Sequence, residues 1–397
     1  MGTHRLSFDF DQEIERNGTA SVKFDGRAGY FGTADVTPLW VADMDFAAPP
    51  AVTAALAARA AHPVYGYTLY PDSAYEAVID WMQQRHGWRI EREWIVMCPG
   101  VVPTLYAAVQ AFAATGEGII VQPPVYFPFF SAVTDTGRRL IENPLKLDDV
   151  HYRFDFDHFE QCAANGAKLL LLCSPHNPVG RVWQRDELVQ LLAIARRYDV
   201  VVLSDEIHAD LVYSGQSHTP LATLAEATDR VITAVAPSKT FNIPGLGLSC
   251  LIAPEPELRH AVQQVFGSLH VSASNPFSLV AFEAAYHSGA PWLDALMGYL
   301  KTTHDDVVAY CAEHLSGIRP IPAQGTYLLW LDCRELGMTD AQLRTFFVQQ
   351  AQVGMNPGQV FGQGGSGFMR LNLASPRHVI MAALGRIRDA LNRPAKS

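Results

Sequence analysis

Long hydrophobic runs, basic clusters and closely spaced cysteines are all missing from this 397-residue sequence. No apolar run approaches the ~20 residues that span a membrane. There is no basic block, and the net charge of −10 makes nucleic acid and anionic membrane surfaces unfavourable partners. The 14 histidines include no HExxH motif and the six cysteines no CxxC pair, so no metal site is expected.

The cysteines are few and widely spread. Several lie in apolar runs such as LLLLCSP (169–175) and GLSCLIAP (247–254), which is typical of small buried side chains in a reducing compartment. Residues 1–18 contain no apolar segment of the kind found in a secretory signal. We therefore expect a cytoplasmic protein.

What the sequence does contain is a series of short apolar runs bounded by turn residues. They occupy residues 94–98, 118–124, 168–175, 199–207, 230–238 and 247–254. Nearly continuous hydrophobicity is typical of strands buried on both faces of a parallel sheet. Amphipathic helical patterns such as RDELVQLLAIARRYD lie between these runs. This alternation predicts a doubly wound α/β domain over residues 50–286, with a mostly parallel central sheet flanked by helices.

The pattern changes after residue 286. A long helical pattern runs from Pro291 to about Leu315, followed by GTYLLWLDC, a further helix and GFMRLNLA. This order predicts a smaller α+β domain at 287–397, which the N-terminal segment 1–49 is expected to join.

Three polar residues each end a separate apolar run: Asn177, Asp205 and Lys239. Taken alone, the asparagine fits a turn in CSPHNPVG, the aspartate fits a helix N-cap or a loop carboxylate, and the lysine fits a solvent-exposed side chain. In doubly wound sheets, however, ligands bind beyond the carboxyl ends of the strands. Together the three groups suit a pyridine aldehyde: the carboxylate keeps the ring nitrogen protonated, the amide bonds the ring oxygen, and the lysine forms an imine.

Such a cofactor also needs a phosphate site. CPGVVPTL places Gly100, Val101 and Val102 at the start of a helix, where free backbone N–H groups favour an anion. Ser238 adds a hydroxyl next to the lysine.

Many motifs in order carry a family resemblance. They are FDQEIERNGTASVKFD, PLWVADMDF, YGYT, CPGVVPTL, PPVYFPF, SPHNPVGRVW, SDEIHADLVY, SKTFNIPGL and RLNLASP. Over nearly its whole length the chain resembles the fold-type I pyridoxal 5′-phosphate enzymes, the aspartate aminotransferase superfamily. Within that group it is most similar to the bacterial C–S lyases, the cystathionine β-lyases of MalY/PatB type.

The resemblance implies a role for each site residue. Lys239 would bond to the cofactor aldehyde, Asp205 would pair with the pyridine nitrogen, and Asn177 would bond the ring oxygen and help to bind substrate. Tyr126 would stack on the ring as a catalytic and cofactor-binding residue.

Two further residues would act at the edges of the site. Arg370 would hold the substrate α-carboxylate, a task that suits a bidentate guanidinium. Tyr65 would reach across a homodimer interface to the partner's cofactor phosphate and substrate, so that the active sites are shared. From the residues alone, Tyr65 and Tyr126 also fit core aromatics, and Arg370 also fits a surface arginine.

Two positions depart from the pattern of many transaminases. His208 stands where those enzymes carry a tyrosine that bonds the ring oxygen; an imidazole can donate the same bond but titrates nearer neutrality. Gly247 stands where they carry a phosphate-binding arginine, so other groups must hold the phosphate. Both departures favour the lyase branch.

The resemblance therefore implies a lyase that cleaves L-cystathionine or related cysteine S-conjugates to a thiol, pyruvate and ammonia. Two alternatives remain open at this point. One is an aminotransferase with the same cofactor, and the other is a pyridoxal-phosphate protein that mainly binds and restrains another protein.

Overall fold

The computed structural model describes residues 8–272 and 275–393. Its strands are β1 (Thr37–Pro38), β2 (Ile95–Cys98), β3 (Gly118–Val121), β4 (Arg139–Glu142), β5 (Lys146–Asp148), β6 (His151–Arg153), β7 (Ala167–Cys173), β8 (Val201–Asp205), β9 (Val231–Val235), β10 (Ser249–Ile252), β11 (Arg319–Ile321), β12 (Leu328–Asp332), β13 (Val353–Gly354), β14 (Asn356–Pro357) and β15 (Phe368–Asn372). The first residues of the N-terminal segment, 1–7, in which no secretory signal is expected, lie outside the described part.

The helices alternate with these strands through most of the chain. They are α1 (Val22–Asp25), α2 (Arg27–Phe31), α3 (Pro50–Ala61), α4 (Asp72–His86), α5 (Val101–Phe112), α6 (Pro128–Thr134), α7 (Phe156–Ala164), α8 (Arg185–Arg197), α9 (Pro237–Thr240), α10 (Pro256–Ser268), α11 (Pro276–Ser288), α12 (Ala290–His314), α13 (Asp340–Thr345) and α14 (Arg377–Leu391). Short 3-10 helices lie at Arg92–Trp94, Leu221–Leu224, Arg334–Leu336 and Gly358–Phe361, and a π-helical turn at Phe346–Gln350.

A seven-stranded sheet in the order β2-β10-β9-β8-β7-β3-β4 forms the centre of the molecule. All neighbours pair in parallel except β10, which is antiparallel to β2 and to β9. Alternate residues enter different cores: Leu169 and Leu171 pack on one face of the sheet, Leu170 and Leu172 on the other. Because both faces are covered, these strands are apolar throughout. The mostly parallel sheet flanked by helices is confirmed.

A second, antiparallel sheet of four strands, β11-β12-β15-β14, lies in the C-terminal part. Helices α12 and α14 share a core with its apolar face. The N-terminal segment reaches the same region, since β1 pairs in parallel with β13. The division at residues 49/50 and 286/287 remains a prediction.

The stretch Trp40–Phe46, here called the strap, runs between the two sheets. Asn372, on β15, donates to the carbonyls of Val41 and Asp43, both at 2.7 Å. Asn242, just after α9, accepts from the Met44 amide at 2.9 Å and donates to the Phe46 carbonyl at 2.8 Å. The strap is therefore fixed from both sides by asparagine side chains.

An ion cluster in the N-terminal segment fixes the acidic residues of the strap. Lys23 is fully buried and lies 2.8 Å from Asp45. Arg16 bonds Asp45 at 2.6 Å and Asp43 at 2.7 Å. Charges in such surroundings depend on one another, because removing one partner leaves the others poorly solvated.

We expect Lys23→Met to lower the free energy of unfolding by about 3 kcal/mol, because Asp45 would keep its charge with one cation instead of two. Urea denaturation measures this loss. Lys301→Met is the matched control: Lys301 pairs with Asp305 on the exposed face of α12, and the change should cost at most ~0.5 kcal/mol. Equal losses in the two variants would contradict the importance of the buried cluster.

Candidate active site

A cavity of about 260 Å³ opens at the carboxyl ends of β7, β8 and β9. Parallel strands bring these ends to one edge of the sheet, where doubly wound proteins bind their ligands. Eight of the residues predicted from the sequence line it: Val101, Val102, Tyr126, Asn177, Asp205, His208, Ser238 and Lys239. Arg370 and Tyr65 do not line it.

Lys239 extends from the short helix α9 and donates to the carbonyl of Ala42 in the strap, with 2.6 Å between the atoms. The hydroxyl of Tyr327 donates to the same carbonyl at 2.9 Å. Burial, together with the positive charge of Arg370, lowers the pKa of Lys239 to about 8. This lysine is therefore not a solvent-exposed side chain, and a good share of it is neutral near physiological pH.

Asp205 ends β8 and accepts a hydrogen bond from the Ile207 amide at 3.1 Å. Burial raises its pKa to about 7, because the carboxylate has lost water without gaining a close cation. A ligand that places a positive nitrogen next to it would restore the charged form.

His208 contradicts the expectation that it titrates near neutrality. Burial, and the positive charges of Lys239 and Arg370, lower its pKa to about 3. The ring is therefore neutral at physiological pH and can both donate and accept. Its Nδ1 is buried without a hydrogen-bond partner in the described part of the chain, and buried polar atoms of this kind call for a partner.

Helix α5 points its N-terminus at the cavity. It spans 12 residues, and its N-cap Gly100 supplies no side-chain hydrogen bond. The amides of Val101 and Val102 are free for a ligand, because the first N–H groups of a helix have no acceptor within it; the third residue, Pro103, has no N–H. Such a helix end favours an anion, and Ser238 lines the same cavity.

Gly247 faces this helix end. A Cβ at this position would lie 2.8 Å from the Pro99 carbonyl oxygen, closer than real contacts allow. No side chain fits there without moving the backbone that leads into α5. The absence of an arginine at 247 therefore has a steric cause, and an anion here would rest on backbone amides and Ser238.

Arg370 lies in the middle of β15, is 2% exposed and is not a surface arginine. It donates to Asn177 at 3.0 Å, to the Trp40 carbonyl at 3.0 Å and to Asn356 at 2.7 Å. Its Nε is buried and unpartnered among the described residues, where no ion pair includes Arg370. Burial lowers its pKa to about 10, so it stays cationic. It is a buried cation in need of an anion.

The model of the aminotransferase class I and II family matches residues 34–387. The chain belongs to this family. It is 41% identical over 386 residues to the cystathionine β-lyase PatB of Bacillus subtilis (strain 168), covering 97% of this chain and 100% of that protein.

Solved structures agree with the family assignment. Cystalysin from Treponema denticola, a structure that contains pyridoxal 5′-phosphate, superposes with a TM-score of 0.94 at 36% identity, over 97% of this chain and 99% of that one. The C–S lyase from Staphylococcus hominis bound to the same cofactor gives a TM-score of 0.91 at 32% identity, over 99% and 100% of the two chains.

The two tyrosines named from the sequence occupy different surroundings in this aminotransferase-family fold. Tyr126 lines the cavity, its ring centroid 4.9 Å from that of Phe127. Tyr65 is 57% exposed and donates to the Ala60 carbonyl at 2.8 Å. It is no core aromatic, and within this chain it does not reach the cavity. Its role toward a second subunit stays a prediction.

The sequence reasoning missed four contributors to the site. Two are backbone carbonyls, those of Trp40 and Ala42, which leave no signal in a side-chain pattern. Tyr327 directly precedes the apolar strand β12, where a core role is the simplest interpretation. Asn356 is a buried amide on β14 beside Arg370, but in the sequence it stands before Pro and Gly, where a turn is the simplest interpretation.

Metal-binding clusters and membrane-spanning helices are both absent from residues 8–272 and 275–393. No cluster of three or more histidine, cysteine, aspartate or glutamate side chains there could hold a metal ion. No helix in these ranges is long and apolar enough to cross a membrane.

We expect Lys239 in ligand-free protein to react with an acylating reagent with a pH midpoint of about 8, because the neutral amine is the nucleophile and its fraction rises with pH. Mass spectrometry of the labelled peptide gives the midpoint. Arg370→Gln should raise it, since a neighbouring positive charge that disfavours the ammonium is removed. A midpoint near the ordinary lysine value of ~10.4 would contradict the burial of this amine.

Proposed function

We propose that this protein is a pyridoxal 5′-phosphate-dependent C–S β-lyase that cleaves L-cystathionine or related cysteine S-conjugates to a thiol, pyruvate and ammonia. The observation that carries the proposal is the cavity itself. Lys239 with a lowered pKa, a buried Asp205 and an anion-accepting helix end surround it, and the uncompensated Arg370 lies just behind Asn177. The similarity to PatB and to the two lyase structures supports the same assignment.

The residues fit this cofactor. The α5 amides and Ser238 would hold its phosphate, Lys239 would bond its aldehyde, and Asp205 would face its ring nitrogen. The unpartnered Nδ1 of His208 and the amide of Asn177 are available for the ring oxygen, and Tyr126 can cover the ring. When bound, the cofactor supplies an electron sink for the bond that breaks at the substrate Cα.

The chain's own groups then divide the work. Asp205 would keep the ring nitrogen of a bound cofactor protonated, and that positive charge would favour the ionised carboxylate. Arg370 holds the substrate α-carboxylate, with its guanidinium oriented by Asn177, Asn356 and the Trp40 carbonyl. Nζ of Lys239, with a pKa lowered to about 8, would accept the Cα proton in its neutral form, of which a good share is present near physiological pH. Loss of the thiolate from Cβ follows.

We expect catalytic release of pyruvate, ammonia and thiol from L-cystathionine in the absence of any 2-oxo acid. Elimination would need no oxo acid, whereas transamination would need one as the amino-group acceptor in every turnover. We expect elimination to lead by at least ~tenfold, about 1.4 kcal/mol in barrier height. A coupled pyruvate assay with and without added 2-oxo acid measures both. Faster turnover with the acceptor would identify an aminotransferase instead.

We propose further that the protein acts as a homodimer with shared active sites. Next to Tyr65 the apolar side chains of Val64, Tyr67 and Leu69 are 63%, 108% and 76% exposed. Exposed apolar side chains grouped in this way mark an interaction surface. An isologous dimer would cover the segment and could bring Tyr65 to the partner's phosphate site.

Subunit mixing tests the sharing. Tyr65→Ala and Lys239→Ala should each be nearly inactive. After equal mixing roughly half of the dimers contain one subunit of each variant. In such a dimer one of the two sites has an intact lysine from one subunit and an intact tyrosine from the other, so mixing should restore roughly a quarter of wild-type activity. Lys239→Ala mixed with a variant that carries both Tyr65→Ala and Lys239→Ala should restore no activity. A monomer in analytical ultracentrifugation, or no restoration on mixing, would contradict the shared site.

We propose a cytoplasmic location as well. All six cysteines lie within the described residues, and each is free and buried. Buried thiols of this kind suit a reducing compartment.

A further inference from the structure

A second polar cluster lies next to the active site, outside the cavity. It consists of Glu206, Asp210, His86 and His218, and we call it the histidine–carboxylate cluster. The side chains are nearly buried, with 2%, 6%, 6% and 3% exposed. None of the four lines the cavity, and none belongs to a potential metal cluster among the described residues. Buried charges at this density need a structural or functional reason.

Asp210 is the centre of one half of the cluster. One carboxylate oxygen lies 2.8 Å from Nε2 of His86 and accepts from Nε1 of Trp81 at 3.0 Å. The other accepts from the hydroxyl of Thr240 at 2.8 Å. Burial alone would raise the pKa of Asp210, but the hydrogen bond and charge of His86 bring it below its usual value. The carboxylate is therefore ionised, and a charged acceptor holds a hydroxyl more firmly than a neutral one.

Glu206 is the centre of the other half. It accepts from the hydroxyl of Ser204 and from the Leu221 amide, and lies near Nε2 of His218, each at 2.9 Å. The His218 ring meets the His86 ring edge-on, 5.6 Å between centroids. Packed rings thus join the two halves into one continuous assembly.

The cluster connects the two residues that matter most in the cavity. Glu206 directly follows Asp205, and Thr240 directly follows Lys239. Helix α9, which carries the lysine, has only four residues and no side-chain N-cap. So short a helix cannot define its own orientation, and tertiary contacts must do so. Thr240 is fully buried, and its bond to Asp210 ties this helix to the loop after β8.

We propose that Asp210 is a positioning residue that orients Lys239 through the Thr240 hydroxyl, with His86 and Trp81 holding the carboxylate in place. This inference rests on the proposed bonding of Lys239 to the cofactor. The hydrogen bond between Thr240 and Asp210 would fix the position of the Lys239 amine. A lysine displaced by a fraction of an ångström would bond the aldehyde and accept the Cα proton less efficiently. Substrate binding through Arg370 is not involved.

The test compares Thr240→Val, which removes the hydroxyl at constant shape, with Thr240→Ser, which keeps it. Thr233→Val is the matched control, because Thr233 is also fully buried on the strand leading to α9 but its hydroxyl has no hydrogen-bond partner among the described residues. Pyridoxal 5′-phosphate is added to cofactor-free protein, and bond formation at Lys239 is followed by absorbance and fixed with borohydride. This readout does not require turnover.

We expect Thr240→Val to slow bond formation about tenfold and to lower kcat for thiol release about tenfold, with KM within about twofold of wild type. Thr240→Ser should keep at least half of both rates, and Thr233→Val should match wild type. If Thr240→Val does not fold, Asp210→Asn, which weakens the acceptor, should slow bond formation about fivefold.

The outcomes separate the two proposals. Equal rates in Thr240→Val and Thr233→Val, or a Thr240→Ser variant as slow as Thr240→Val, would overturn the positioning role. A wild-type rate in Asp210→Asn would do the same. If wild-type protein bonds the cofactor at Lys239 but releases no thiol, the lyase proposal fails while the positioning role can still be measured.

Discussion

Two basic side chains, Lys239 in the cavity and Arg370 behind Asn177, are largely shielded from bulk water, and among the described residues neither forms an ion pair with a carboxylate. The cost of this arrangement is visible in both lowered pKa values. It is also what makes the site useful, because unpaired buried charge is available for a phosphate or a carboxylate that arrives with a ligand. The one nearby acid, Asp205, has a raised pKa instead of forming a pair.

Holding charges in this way requires a rigid frame, and the strap supplies much of it. Its Ala42 and Trp40 carbonyls are the acceptors for Lys239 and Arg370. These carbonyls accept hydrogen bonds from Lys239 and Arg370 without neutralising the positive charge, so the pKa of the lysine stays low. Asn242 and Asn372 fix the strap. Asn242 lies within three residues of Lys239, and Asn372 lies within three residues of Arg370. The basic residue and the asparagine that holds its carbonyl acceptor in place are therefore close together in the sequence.

The sequence predicted those features that depend on side-chain patterns. Each of the six apolar runs contains a strand, and parallel topology alone brought the ends of β7, β8 and β9 together. The antiparallel direction of β10 and the edge strand β4 were not predicted, because neither changes the hydrophobic pattern in a specific way. Backbone acceptors such as the Ala42 carbonyl could not be predicted, since only the folded chain shows where a carbonyl points.

The structure explains the two departures from the transaminase pattern, His208 and Gly247, in physical terms. His208 lies close to both cations, so its ring is neutral and its free Nδ1 can act as a hydrogen-bond partner without adding a third positive charge. Gly247 lets the Pro99 carbonyl approach the backbone so closely that no side chain fits, and the start of α5 is left to bind the anion. Neither position therefore adds a positive side chain to the cavity. A ligand that brings an anionic group to the start of α5 and a positive nitrogen to Asp205 would then meet a complementary group at each position.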